Sequence, residues 1–255
     1  MSPPCFVANW KMNKTIPEAL EYASVLLDRL PKTLDGAQAE VILAAPFTAL
    51  SALSSLLSSR DGGVWLAAQD VSAQPDGPYT GNISARMLCD VGCRYVIVGH
   101  SERRTLFGET DHQIAQKISA ICSAGEHRHA RLVPILCVGE TASEREKGLS
   151  QKVVAAQLQA MTHRTAPIII AYEPVWAVGT GKRPPPSEIN AMHQYIREQL
   201  HGVPEGESVR ILYGGSVEHA SVSALMREPH IDGVLVGHAS LSVTEFLDLI
   251  ERGLK

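Results

Sequence analysis

Eight short apolar runs punctuate the chain, at 6–8, 41–44, 64–68, 95–98, 132–138, 168–172, 209–213 and 234–236. Each is continuous rather than alternating and rich in β-branched side chains. That is how a strand buried on both faces reads, because polar alternation appears only where one face meets water. None of the runs is long enough to span a bilayer.

Amphipathic stretches lie between the runs. Thr15-Ile16-Pro17-Glu18 has the Thr-x-x-Glu spacing of a capping box, with proline in the first turn. Leu20, Ala23, Leu27 and Leu30 then recur on one helical face. Ser187 is placed to cap a helix carrying Ile189, Met192, Ile196 and Leu200. Ser242-Val243-Thr244-Glu245 repeats the capping-box spacing before Phe246, Leu249 and Ile250. The stretches 111–124 and 150–161 are also compatible with helix.

Strand then helix, eight times, at roughly 30 residues per unit, predicts parallel crossover units. Eight units in one chain of 255 residues fit a closed α/β barrel, (β/α)8, of eight parallel strands surrounded by helices, forming a single domain over 1–255. An open doubly wound sheet is the structural alternative. It usually carries a glycine-rich turn after its first strand, whereas this chain reads Asn9-Trp10-Lys11-Met12-Asn13 there.

Composition narrows the classes of function. Hydrophobic residues make up 45% and charged residues 20%, the balance of a soluble protein with a large core. The formal net charge of −4 gives no basic surface for nucleic acid or acidic membrane, so an anionic ligand would have to be met by local groups. The cysteines at 5, 89, 93, 122 and 137 form no CxxC pair and have no zinc-ligand spacing. They read as unpaired thiols suited to a reducing cytoplasm, with no metal site. The start of the chain has no basic segment followed by an apolar stretch, so no signal peptide is expected.

Polar residues follow the runs. Barrel enzymes build their sites from the loops at the C-terminal strand ends. Those ends carry Asn9 and Lys11, Gln69-Asp70, Gly99-His100-Ser101-Glu102, Gly139-Glu140, Glu173-Pro174, Gly214-Gly215-Ser216 and Gly237-His238. A carboxylate base beside an electrophile suits proton abstraction next to a carbonyl. Glycine-rich loops entering short helices suit phosphate. The spacing thus describes an isomerase or aldolase acting on a small phosphorylated sugar.

Longer runs carry a resemblance. Ala8 to Asn13 (ANWKMN), Val98 to Arg104 (VGHSERR), Leu136 to Thr141 (LCVGET), Ala171 to Lys182 (AYEPVWAVGTGK) and Tyr213 to Val217 (YGGSV) resemble the triosephosphate isomerase family, in order and over essentially the whole chain. The resemblance implies interconversion of dihydroxyacetone phosphate and D-glyceraldehyde 3-phosphate without metal or organic cofactor. It implies that Glu173 removes a carbon-bound proton and returns it to the neighbouring carbon. His100, a neutral imidazole at a helix start, would polarise the carbonyl and shuttle protons between the two oxygens. Lys11 would stabilise enediolate and phosphate charge, Asn9 would hydrogen-bond substrate oxygens, and Glu102 would join the polar network near both. Gly179, Ser216, Gly237 and His238 would contact phosphate, mainly through main-chain N–H. Residues 174–182 would form a lid that excludes water and keeps the intermediate from losing phosphate. The family also implies a homodimer. Cys137 and Glu140 read as structural, and Trp176 as a lid packing residue.

Four positions depart from the family pattern. His238 stands where a second glycine is usual and would be strained if its φ were positive. Residues 182–186 carry more proline than is usual at a lid hinge. Asn82 replaces an acid in the loop expected to reach the partner subunit. Asp70 replaces asparagine, with little effect expected. Two rival functions remain. A Schiff-base aldolase needs a strand lysine, and no run holds one; a non-catalytic scaffold would not need Asn9, Lys11, His100 and Glu173 together.

Overall fold

All eight apolar runs form strands: β1 (Cys5–Asn9), β2 (Glu40–Ala45), β3 (Val64–Ala68), β4 (Tyr95–Val98), β5 (Val133–Val138), β6 (Ile169–Tyr172), β7 (Arg210–Tyr213) and β8 (Gly233–Val236). The computed structural model describes residues 3–34, 38–60, 63–125, 132–161, 167–177, 184–203 and 206–255. Each strand pairs in parallel with the next, and β8 pairs with β1, so the sheet closes into a barrel. Ten α-helices surround it among the described residues. Closure needs a small residue at the seam. A Cβ added to Gly233 would stand 2.0 Å from the Cys5 carbonyl oxygen.

Alternate strand residues serve two cores. Val7, Ile42, Ile97, Ile135 and Leu212 fill the barrel interior. Phe6, Leu43, Leu66, Val96 and Val234 belong to the larger cluster shared with the helices. Both faces are dry, which is why the runs show no polar alternation. Trp65 in β3 is the departure, 41% exposed. The Arg94 guanidinium covers its ring at 4.6 Å.

The capping signals act largely as the spacing predicts. The Glu18 carboxylate accepts from the Thr15 N–H at 2.7 Å and from its hydroxyl at 2.8 Å, opening the helix Ile16–Leu34. Its buried stripe runs through Ala19, Tyr22, Ala23, Leu26, Leu27 and Leu30, with Leu20 only half-buried at the edge. The stripe therefore includes Ala23, Leu27 and Leu30 of the expected face and widens to take in Ala19, Tyr22 and Leu26. Ser242 accepts from the Glu245 N–H at 3.4 Å, and Phe246, Leu249 and Ile250 of the helix Val243–Gly253 are buried.

Ser187 is not a cap. The helix Pro186–Gln199 begins at Pro186 with Pro185 at its N-cap. A first-turn N–H has no intrahelical acceptor, so proline loses nothing there and its fixed φ already suits the helix. Two of the three consecutive prolines thus start a helix rather than stiffen a hinge. None of the five cysteines forms a disulfide, and burial pushes the Cys5 and Cys93 thiols up to about 12. No helix among the described residues is long and apolar enough to cross a membrane.

Candidate active site

The C-terminal ends of β1, β4, β6, β7 and β8 meet around one pocket. Asn9, Lys11, His100, Glu173, Ser216, Gly237 and His238 all line it. Seven residues from five distant stretches thus share one cavity. Gly179 lies outside the described residues.

Glu173 follows β6 directly and is only 2% exposed. Its Oε1 lies 3.2 Å from His100 Nε2, and its Oε2 accepts from the Ser101 N–H at 2.9 Å. A buried carboxylate needs such partners to stay charged. Two glycines make room for it. A Cβ on Gly139 would fall 1.8 Å from the Glu173 carbonyl oxygen, and one on Gly214 would fall 2.7 Å from Glu173 Cγ. Beneath it sits the buried Cys137. Burial, and then the Glu173 charge, push that thiol well above its ordinary range, so it faces the carboxylate as a neutral S–H.

His100 is the N-cap of the helix Ser101–Phe107. Its Nδ1 accepts from the Glu102 N–H at 3.2 Å. An accepting Nδ1 carries no proton, so the ring hydrogen of the neutral imidazole sits on Nε2, facing the pocket and Glu173. Glu102 itself points to Lys11, whose Nζ is 2.5 Å from Glu102 Oε1; Glu102 Oε2 is 3.7 Å from His100 Nδ1. Glu102 is therefore the common neighbour of the imidazole and the ammonium.

Lys11 has a φ of 52°, a left-handed conformation that a side chain rarely adopts. Two neighbours hold it. Asn9 Oδ1 accepts from the Lys11 N–H at 3.0 Å, and the Gln69 amide donates to the Lys11 carbonyl at 2.8 Å and to the Ala44 carbonyl at 2.9 Å. Since the Asn9 oxygen faces the backbone, its NH2 group is the end it can offer a ligand. Gln69 appears in the sequence as one more polar residue after a strand. Its bracing of Lys11 was not legible there, because it depends on where the loop after β1 folds back.

Loops after β7 and β8 form the opposite wall. Ser216 donates its hydroxyl to the Ala177 carbonyl at 3.0 Å, tying the β7 loop to the start of the lid segment. A Cβ on Gly237 would press on Lys11 Cε at 3.2 Å. Residues His238–Ser240 form a single 3-10 turn, and both the N–H and the hydroxyl of Ser240 donate to the Gly237 carbonyl. His238 is exposed, and the positive-φ residues other than glycine among the described residues are Lys11 and Lys14. The strain expected at His238 is therefore absent.

Of residues 174–182, the stretch expected to form a lid, residues 174–177 are described. Glu140, fully buried, accepts from the Trp176 indole at 2.8 Å and from the Tyr172 hydroxyl at 3.1 Å. The Arg145 guanidinium lies 4.0 Å over the Trp176 ring and pairs with Glu188. Glu140 thus links Trp176 to the end of β6.

Asp70 does more than expected. Its carboxylate lies 2.6 Å from Lys117 Nζ and 3.0 Å from Arg103 Nη2, and Lys117 also pairs with Glu109. With asparagine at 70, Lys117 and Arg103 would share the single carboxylate of Glu109. Asn82 is exposed in a groove it shares with Phe47, Arg103 and Phe107. Among the described residues no three histidine, cysteine, aspartate or glutamate side chains group to hold a metal ion.

Comparison with known proteins adds a family. A family model described as triosephosphate isomerase matches residues 4–253. Proteins named triosephosphate isomerase are similar along their full lengths. One from Prosthecochloris aestuarii is 44% identical over 255 residues, 98% of this chain and 97% of the relative. One from Symbiobacterium thermophilum is 42% identical over 254 residues, 96% of this chain and 95% of the relative. One from Roseiflexus sp. is 43% identical over 258 residues, 98% and 97% respectively.

Proposed function

From the premise that the chain belongs to the triosephosphate isomerase family, an isomerase family, we propose that it interconverts dihydroxyacetone phosphate and D-glyceraldehyde 3-phosphate. The observation that carries the reading is the 3.2 Å approach of His100 Nε2 to Glu173 Oε1 in a pocket that also holds Lys11. A base, a hydrogen-bond donor and a cation within one small cavity are what carbon–proton abstraction beside a carbonyl requires.

In the proposed mechanism the three-carbon substrate enters between carboxylate and imidazole. Glu173 takes the proton from the carbon beside the carbonyl, and the electron pair moves onto the carbonyl oxygen. The Nε2–H of His100 donates to that oxygen, stabilising the enediolate and moving protons between its two oxygens. Glu173 returns its proton to the neighbouring carbon, completing the aldose–ketose exchange with no net change in atoms or electrons. The Ser101 N–H donates to the Glu173 carboxylate and holds it in the pocket.

Lys11 sits where it can balance charge on the enediolate and the phosphate, and its Glu102 partner holds it within reach of His100. The Asn9 amide donates to substrate oxygens. Main-chain N–H groups of Ser216, Gly237 and His238, with Gly179 of the lid, bind the phosphate. This scheme needs no metal or organic cofactor.

We also take residues 1–255 as one domain acting in a cytoplasmic homodimer, with no nucleic-acid or membrane partner. Met12, next to Lys11, is 96% exposed, and Phe107, Met87 and Phe47 are 69%, 49% and 41% exposed. Apolar side chains left bare suit a surface that a second copy covers. Asn82 offers no charge to an ion pair across that surface.

The test is isomerisation of D-glyceraldehyde 3-phosphate, followed by reducing the dihydroxyacetone phosphate formed. Wild-type enzyme should turn over, and Glu173→Asp, which withdraws the carboxylate by about one bond, should lose about 100-fold or more in kcat. No wild-type turnover, or an unimpaired Glu173→Asp, would end the reading. Loss of activity on borohydride treatment with substrate would favour a Schiff-base aldolase instead.

A further inference from the structure

The structure assigns to Lys14 a positioning role: its ammonium ties the loop that carries Asn9 and Lys11 to the turn that carries Gly237 and His238, and so sets the width of the phosphate end of the pocket. The inference rests on the proposed reading of that pocket as a phosphate site.

Lys14 has a φ of 76°, where glycine costs nothing and a lysine is strained. A side chain that outweighs this strain must make contacts that glycine cannot. Lys14 Nζ donates to the Leu241 carbonyl at 2.8 Å, across 227 positions of sequence. It also stands 4.7 Å over the Tyr22 ring and 5.3 Å from the Trp10 ring centre, and those rings meet edge to face at 4.9 Å. An ammonium between aromatic faces is held in place by their quadrupoles.

Both ends of this tie lead to the pocket. Trp10 is fully buried between Asn9 and Lys11 in sequence, and its carbonyl accepts from the Asn13 amide at 2.7 Å. At the other end Leu241 closes the His238–Ser240 turn, its N–H donating to the His238 carbonyl at 3.0 Å. The two loops meet where Gly237 packs against Lys11 too closely for a side chain, since a Cβ there would stand 3.2 Å from Lys11 Cε. A shift of a few tenths of an ångström between the loops therefore changes how far the Lys11 ammonium stands from the main-chain donors of the turn. Burial lowers the pKa of Lys14 and outweighs Glu18 and Glu21, which raise it; neither carboxylate is an ion-pair partner among the described contacts.

The test compares Lys14→Met, Lys14→Gly and Lys14→Arg with wild type. Lys14→Met keeps the left-handed strain and the bulk but loses the tie. Lys14→Gly loses the tie and relieves the strain. Both should raise KM about 5- to 10-fold and weaken binding of inorganic phosphate by a similar factor, with kcat within about 3-fold, as expected for one charge-assisted hydrogen bond. Lys14→Arg should recover most of the affinity. A merely structural role would instead lower the melting temperature of Lys14→Met, spare Lys14→Gly, and leave KM and phosphate affinity of both at wild-type values. That outcome would overturn the inference, as would equal losses in kcat and kcat/KM. A wild-type enzyme that binds phosphate but does not isomerise would count against the proposed function and leave the phosphate comparison intact as a test of Lys14.

Discussion

Gly214, the first residue after β7, lies against Glu173: a Cβ there would stand 2.7 Å from Cγ of the carboxylate side chain and 3.5 Å from Oε1. The obstacle to a larger residue is the proposed base itself, on a buried side chain with little room to yield. Gly214→Ala should therefore push Glu173 away from His100. A misplacement of about 1 Å commonly costs on the order of 100-fold in rate. We expect kcat to fall by roughly that factor, with KM within a few-fold and the fold retained. Steady-state kinetics with a melting curve would check it, and an alanine variant of normal kcat would show that Glu173 has more freedom than its contacts indicate.

Glu140 should matter for the lid without touching substrate. Its buried carboxylate serves two donors, the Trp176 indole and the Tyr172 hydroxyl. Burial and the Glu140 charge push the Tyr172 hydroxyl far up, so it remains a donor. In Glu140→Gln the amide brings an NH2 where only acceptors fit, leaving a buried donor poorly matched. The cost should be about 1–3 kcal/mol in unfolding free energy. Trp176→Phe removes one donor and leaves Tyr172, so it should cost less. Denaturant titration of both variants tests the ranking; the reverse order would refute it.

A buried histidine outside the site sets part of the acid sensitivity. His193 is fully buried, its ring edge-on to Tyr172 at 5.9 Å, with Nδ1 donating to the His230 carbonyl at 3.2 Å. Burial lowers its pKa from 6.5 to about 3. Between those values the unfolded chain holds a proton that the folded chain lacks. Stability from this group is complete above pH 6.5 and is lost as pH falls through the window. The slope is about 1.4 kcal/mol per pH unit. His193→Leu should thus lose about 2 kcal/mol less than wild type between pH 7.5 and 5. Urea unfolding at the two values would measure it, and parallel losses would rule out a neutral buried His193.

The exposed apolar residues predict the assembly. Met12, Phe47 and Phe107 should be covered in a homodimer, giving twice the chain mass at micromolar concentration in sedimentation. Phe47→Glu, which places a charge in the shared groove, should shift the chain towards monomer and lower its activity, because Met12 neighbours Lys11. A wild-type chain of monomer mass would remove the dimer from the reading.

Much of the fold is legible because burial on two faces leaves a direct trace. The runs at 41–44, 64–68 and 95–98 have no polar alternation, and β2, β3 and β4 occupy them to within a residue. Local capping chemistry is legible for the same reason, since Thr15 and Glu18 meet within a single helical turn. Ser187 misleads because any serine before an amphipathic stretch reads as a cap, while Pro186 competes for the helix start with a φ it cannot change. Asp70 misleads because its worth lies in Lys117 and Arg103, and neither is near it in sequence.

By itself the sequence determined eight buried strands, the helices between them and the polar residues at the strand ends, since each depends on neighbours within a few residues along the chain. Its motifs also singled out Glu173, His100 and Lys11 as candidates. Barrel closure brings those residues together, and it alone decided that Glu173 would sit against Gly214 and the Ser101 N–H, that Gln69 would brace a left-handed Lys11, and that Lys14 would reach Leu241. Those relationships join residues tens to hundreds of positions apart. Their distances depend on the packed geometry of the whole barrel, which no local pattern encodes.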